Sequence, residues 1–403
     1  MTTVRRSITL KVSSNLIISA AGAGILSFPY AMKQAGLVLG IFFCLFFGYL
    51  NALALQILSD HSGKGWNMKQ QNAALLTSNK LSPPSSYRQL MKVRLGETAG
   101  RIASFSIYFG IFGALIGFLI IIAELTCPVL QQWFSDTLFI VKRPVVIIIF
   151  VVFIAMPLST LKNLKSLAFS SVLAIVSVLY VVFLVTYRQV VSSSPPCHQW
   201  LPSSRWSTFE ALPIMLFAFG CPLQTVTSVH ELADLDPSHS AAVMKTAVVV
   251  TMCTCGWMYI SVGLFGFLDF GQDTDGIILN NYSKNDFVAN VGRVLMALHV
   301  ALAYPVIFNP AQSGLVYWWT QKGSRREDLY VGDDDESPSS RLLEGSAGGE
   351  VTGEEGGAAD GGAVDLPLLL AAPLHVRVCT AVMVGVVTAA AAICVPQVQM
   401  VFG

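Results

Sequence analysis

The chain has 403 residues, of which 54% are hydrophobic and only 12% charged, with a mean hydropathy of +0.62. Soluble domains carry about 25% charged residues, so this composition excludes a water-soluble globular protein and indicates a polytopic membrane protein. A net charge of +1 offers no basic surface for nucleic acid, which is not expected as a partner.

A membrane span needs about 20 predominantly apolar residues. Nine segments of this kind follow one another, at roughly 12–32, 36–58, 103–126, 143–159, 167–187, 208–230, 243–268, 289–313 and 374–400. The first follows "MTTVRRSITLKVSSN", which lacks the cleavage pattern of a signal peptide. The fifth and seventh are rich in β-branched and aromatic residues, yet are expected as helices. In lipid every backbone group must bond within its own segment or within a closed barrel, and no ten-residue alternation suggests a barrel. The resulting division is an N-terminal segment 1–11, spans one to eight over 12–313, a polar loop over 314–373, and a ninth span with the chain end over 374–403.

Lys and Arg in short loops set the orientation. Arg5, Arg6 and Lys11 precede span one, seven basic residues lie between spans two and three, and Lys162 and Lys165 lie between spans four and five. All of these fall on one side when the N-terminus is cytosolic. The sequon Asn281-Tyr282-Ser283 then lies outside. Within the polar loop, residues 321–365 are acidic, rich in Gly and Ala, and almost free of aromatics, a composition that predicts disorder on the cytosolic side. Residues 365–370 also fit an acidic dileucine sorting pattern. Most cysteines lie inside spans and read as small apolar fillers; Cys127 and Cys197 flank spans on the outer side and offer a conceivable disulfide.

No metal-ligand, nucleophile or phosphate-binding motif is present, so an enzyme is not expected. The unusual feature is "SAAGAGILSFP" over residues 19–29, which places glycines and a proline in the middle of a hydrophobic span. Gly22-Ala23-Gly24 removes side chains over a full turn, and Pro29 deletes a helical donor. Two readings compete: close helix packing through small residues, or a broken helix lining a cavity where substrate meets bare backbone. A second interruption, Gly220-Cys221-Pro222, lies at mid-depth in span six. Spans one and six open two five-span halves. Matching breaks in corresponding spans are the pointer to a transporter site between inverted repeats.

The residues around these breaks resemble the amino acid/auxin permease family, which includes sodium-coupled neutral and vacuolar amino acid transporters. "AGAGILSFPYAMKQAG" (21–36) resembles the family's first-span signature, and "PLSTLKNLKSLAFSS" (157–171) its turn between spans four and five. "FAFGCPLQTVTSVHEL" (217–232), "GLFGFLDFGQDTDGIILNNYS" (263–283) and "YPVIFNPAQS" (304–313) resemble its sixth-, seventh- and eighth-span motifs. The resemblance implies an all-α, LeuT-like inverted-repeat fold and secondary active transport of amino acids by alternating access. Gly22, Ala23, Gly24, Ile25 and Leu26 would hold the substrate through their backbone. Phe217, Ala218, Phe219, Gly220 and Cys221 would form the facing wall, with Tyr108 and Gly113 as candidates from span three.

Several positions depart from the family pattern. Pro222 stands where the family usually has His, and Gln312 where Arg is common. At positions where sodium-coupled relatives place Asn and hydroxyl residues, this chain has Ile18, Ala301 and Ala303. Apolar carbon cannot replace an oxygen ligand of a hard cation. Sodium coupling is therefore doubtful and proton coupling is favoured; no cofactor is expected. Asn15, one turn earlier, is a candidate replacement ligand, and His299 inside span eight is a titratable group. The missing charge at the site suits a neutral substrate. The family typically has eleven spans, so the resemblance also implies a chain truncated before spans ten and eleven. An amino acid sensor of the same fold, or a truncated member without transport, are the alternatives. The sequence leaves plasma membrane and vacuolar or lysosomal membrane equally open.

Overall fold

A computed structural model describes residues 3–62, 87–134, 138–157, 168–191, 205–221, 224–226, 228–229, 232, 240–305, 307–308 and 374–395. Among these residues the secondary structure is helical, without strands. The helices are α1 (Thr3–Ala20), α2 (Phe28–Ala35), α3 (Leu37–Ser62), α4 (Tyr87–Leu95), α5 (Glu97–Trp133) and α6 (Arg143–Phe150). They continue with α7 (Ala168–Val191), α8 (Arg205–Ala218), α9 (Ser240–Phe270), α10 (Phe287–Pro305) and α11 (Leu374–Cys394). Short 3-10 turns at Ala23–Ser27, Phe139–Val141, Gly271–Asp273 and Ile278–Asn281 and a π turn at Val151–Ala155 lie between them.

Each apolar segment expected from the sequence contains helix within its described part. Among the described residues five helices are long and apolar enough to cross a membrane, or six when the bent pair α1 and α2 is taken as one span. Large apolar side chains stand exposed around them, among them Phe105, Phe109, Phe183, Trp257 and Val386. Water would penalise such a surface, whereas lipid does not distinguish it from an interior. The protein is a multi-pass integral membrane protein.

Helix boundaries run past the hydrophobic stretches. α1 begins at Thr3 rather than near 12, and α5 continues to Trp133 rather than stopping near 126. At 1.5 Å per residue, the 37 residues of α5 span about 55 Å, well beyond a hydrocarbon core of ~30 Å. Hydropathy marks what faces lipid; the backbone ladder continues until a residue stops it. α4 was not expected, because its charged, amphipathic sequence carries no span signal.

The helices pack in two groups. In one, α9 is the hub: α1, α2 and α3 lie against it, and α8 packs on α2 and α3. In the other, α5, α6 and α11 pack on one another. α10 joins that second group through Tyr304, whose ring meets Phe150 of α6 at 5.8 Å and whose hydroxyl bonds Thr388 of α11 at 3.2 Å. α7 touches both groups: it packs on α9 and α1, while Tyr180 donates to the Val288 carbonyl of α10 at 2.8 Å. The turn Ile278–Asn281 also bridges, resting on α5 and on the turn Ala23–Ser27.

Candidate functional site

The first break is where the sequence places it. α1 ends at Ala20, α2 starts at Phe28 with Pro29 in its first turn, and the axes of the two halves differ by 51°. Between them Gly22 is extended (φ −89°, ψ −151°) and its N–H folds back to the Ala20 carbonyl at 2.8 Å. The first N–H groups of a helical turn have no partner inside it; Ala23 and Gly24 hold those positions. The side chains of Ala23, Ile25 and Leu26 are buried in the core, so these residues offer only backbone to a ligand. A methyl group added at Gly22 would meet no atom within 4 Å, which marks open space beside the unwound segment.

The second break lies opposite. α8 ends at Ala218, Gly220 N–H turns back to the Phe217 carbonyl at 3.0 Å, and Cys221 leaves the helix. Thr225 then donates its backbone N–H and its hydroxyl to the Cys221 carbonyl, at 3.1 and 3.0 Å. Ala218, Phe219 and Cys221 are buried, whereas Phe217 and Gly220 are exposed. Pro222 and the Glu231 of the same motif lie outside the described residues.

The two breaks touch. A Cβ on Gly24 would stand 3.1 Å from the Cβ of Ala218. A side chain at Gly24 would therefore require Ala218 to give by a few tenths of an ångström.

Tyr259 of α9, which the sequence reading did not single out, ties the breaks together. Its buried hydroxyl lies 2.7 Å from the Ala20 carbonyl and 2.8 Å from the Ala218 carbonyl, the last residues of α1 and α8. Its one proton is shared between two helix ends whose carbonyls have lost their helical partners. The ring stacks on Phe28 at 4.4 Å and meets Phe219 edge-on at 4.9 Å, so both breaks also share one aromatic cluster. The available signal was a tyrosine deep in an apolar span: a buried phenol needs a partner for its hydroxyl. Nothing in the sequence says which one.

The other candidates are dispersed. Tyr108 is half-buried on α5, whose main neighbours are α4, α6 and α11, so the packing of that helix does not by itself carry it to the breaks. Gly113, on the same helix, is half-buried beside open space. Ile18 lines a small apolar pocket with Ala174, Val178 and Met258. Ala301 is buried, Ala303 half-buried, and Asn15 exposed. His299 is buried in α10, and its Nδ1 has no partner among the described residues.

On the far side of the first break, the loop after α9 is held from several directions. Lys33 of α2 donates to the Thr274 carbonyl at 3.1 Å. Asn281 closes the loop on itself, accepting from Asp275 N–H at 2.8 Å and donating to the Asp273 carbonyl at 2.6 Å. The sequon asparagine is thus engaged at both side-chain atoms. Tyr282 packs edge-on against Phe270 at 5.1 Å, and burial pushes its phenol well above the usual range. Cys127 is a free thiol; Cys197 lies outside the described residues. The same holds for the basic loop before α4, the turn after α6 and the acidic segment after α10.

Comparison with known proteins places these features. The family model "Transmembrane amino acid transporter protein" matches residues 5–337. Human solute carrier family 38 member 8 is 23% identical over 315 residues, covering 75% of this chain and 67% of its own length. Amino acid transporter AVT6A of Arabidopsis thaliana is 27% identical over 322 residues, 73% of this chain and 64% of its own. The zebrafish (Danio rerio) sodium-coupled neutral amino acid transporter 7 is 24% identical over 329 residues, 77% and 65%. The chain spans about two thirds of the length of these relatives. With the match running through both helix breaks and on past α10, the chain belongs to the transmembrane amino acid transporter proteins, a family of transporters rather than enzymes.

Proposed function

We propose that the protein is a secondary active transporter of neutral amino acids that works by alternating access on a LeuT-like inverted repeat. The observation that carries the reading is the meeting of the two helix breaks, after Ala20 and after Ala218, over the hydroxyl of Tyr259. The turn that begins at Ala23 points its helix N-terminus, and with it unpartnered N–H groups, toward a substrate carboxylate. The C-terminal ends of α1 and α8 offer carbonyl dipoles of the opposite sign to the ammonium. The wall is apolar or aromatic, which suits an uncharged substrate side chain. The relatives support the ligand class through their names.

The coupling ion in this reading is the proton. Ile18 sits among carbon atoms rather than oxygen ligands, and apolar carbon cannot ligate a hard cation. The packing into two groups, with α7 in contact with both, supports rocking of α1, α2, α3, α8 and α9 against the remainder.

The test is uptake of radiolabelled neutral amino acids into proteoliposomes carrying the full chain. Gly24→Leu drives a side chain into Ala218 and fills the gap between the breaks. It is expected to lower uptake at least tenfold, roughly 1.4 kcal/mol or more, while the protein still inserts and purifies. Unchanged uptake in this variant would remove the breaks as the transport site.

A further inference from the structure

A cavity of ≈ 280 Å³ lies away from the breaks. It is lined by Glu124 and Cys127 of α5, Arg143 at the start of α6, Asn280 and Lys284 of the loop before α10, and Arg293 of α10. Its volume is near ten times the ~30 Å³ share of one water and close to the smallest ligand pockets. A small organic molecule fits it.

The lining divides by charge. Arg143, Lys284 and Arg293 are cationic. Arg293 is 1% exposed, and its terminal nitrogens donate to the carbonyls of Leu279, Tyr282 and Ser283 and to Asn290. Its Nε–H has no partner among the described residues. A buried N–H left unpaired costs about 1–3 kcal/mol, so a site that keeps one gains from a ligand that accepts it. Against these stand three acceptors. The Glu124 carboxylate lies 3.9 Å from Arg143. The Glu124 backbone carbonyl has lost its helical donor, because Pro128, four residues on, has no N–H. Asn280 Oδ1 is buried without a partner among the described residues.

A simple anion would satisfy the cations but leave Glu124 and Asn280 Oδ1 facing negative charge. A simple cation would meet three positive groups. A molecule carrying both charges a few ångströms apart satisfies the two sets together. The remaining wall, Ala123, Cys127, Pro128 and the amide of Gln131, leaves room for a short side chain.

We propose that this cavity is a second binding site for a zwitterionic α-amino acid with a short side chain, separate from the helix breaks. For its ligand class the assignment rests on the amino acid reading above. The carboxylate lies toward Lys284 and Arg293, and the ammonium toward Glu124 and Asn280. Occupancy reaches the breaks through the turn Ile278–Asn281, which rests on α5 on one side and on Ala23–Ser27 on the other.

The experiment measures equilibrium binding of tritiated L-alanine to the purified full chain in detergent. The wild type is expected to bind two equivalents. Gly24→Leu is expected to bind one, and adding Glu124→Gln or Lys284→Ala to it to weaken that one at least tenfold. Lys284 is exposed, so its truncation does not threaten the fold. In the wild-type background Lys284→Ala should reduce binding from two equivalents to one. Propionate and alanine methyl ester, each keeping one charge, should compete poorly with alanine. Gly24→Leu protein that binds no alanine, or Lys284→Ala protein that still binds two equivalents, overturns the second site. Competition by propionate or chloride as strong as that by alanine overturns the zwitterion assignment. Loss of wild-type uptake speaks only to the transport reading, because the Gly24→Leu binding assay does not depend on it.

Discussion

At the scale of single residues, Tyr259 carries more than packing. Truncating its hydroxyl leaves the ring stacked on Phe28 and against Phe219, so Tyr259→Phe isolates the hydrogen bonds from the aromatic cluster. The Ala218 carbonyl then loses its donor, at about 1–3 kcal/mol, while the Ala20 carbonyl keeps only the Gly22 N–H. The variant is expected to melt at lower temperature and to transport more slowly, because the ends of α1 and α8 are no longer held on one atom. Melting followed by intrinsic fluorescence, together with initial uptake rates, checks this; equal values for variant and wild type would show that the clasp is dispensable. Tyr259 was illegible in the sequence for a physical reason. Its acceptors lie 239 and 41 residues away, and only the folded packing of three helices brings them to one point. The glycines and Pro29 were legible because a break in a helix is a local event with a local chemical cause.

At the scale of elements, α2 is a half-helix packed closely at both ends. Its N-terminal turn lies against α9, where a Cβ on Gly266 would stand 2.7 Å from Pro29 Cγ and 3.1 Å from Ile278 Cδ1. Its far end is fastened to α8, where Ser207 donates to the Gln34 carbonyl at 2.9 Å, and to the loop after α9 through Lys33. A side chain at Gly266 therefore cannot be absorbed by a flexible neighbour: proline is rigid, and Ile278 belongs to a turn held by Arg293. Gly266→Val is expected to push α2 off α9 and to lower both thermal stability and uptake, by roughly 1–3 kcal/mol in stability. Stability equal to wild type would show that α2 has room the structure denies it. Hydropathy located the spans around this contact because lipid exposure is a property of each segment alone. It missed α4 and the outer turns of α5, where the helix continues into polar surroundings and periodic hydrogen bonding, not apolarity, defines the element.

At the scale of the whole molecule, the arrangement of two helix groups bears on what drives the cycle. A sodium-driven cycle needs oxygen ligands that exist in one state and are lost in the other. Here Ile18 lines an apolar pocket and Ala301 and Ala303 bring no oxygen from their side chains. The carbonyls that end α1 and α8 each accept from the Tyr259 hydroxyl. A proton needs only a titratable group that changes surroundings, and α10 carries one in the buried His299, whose Nδ1 has no partner among the described residues. Each unit of pH difference supplies ~1.4 kcal/mol per proton, enough for about tenfold accumulation of a neutral substrate. Replacing sodium by choline should therefore leave proteoliposome uptake unchanged, whereas making the substrate side acidic relative to the other should raise the accumulated amount. Collapsing the gradient with a protonophore should return accumulation to equilibrium. Uptake that falls with sodium removal and ignores the protonophore would mean that oxygen ligands for sodium come from elsewhere in the chain, and that the Tyr259 hydroxyl yields its two carbonyls to the ion.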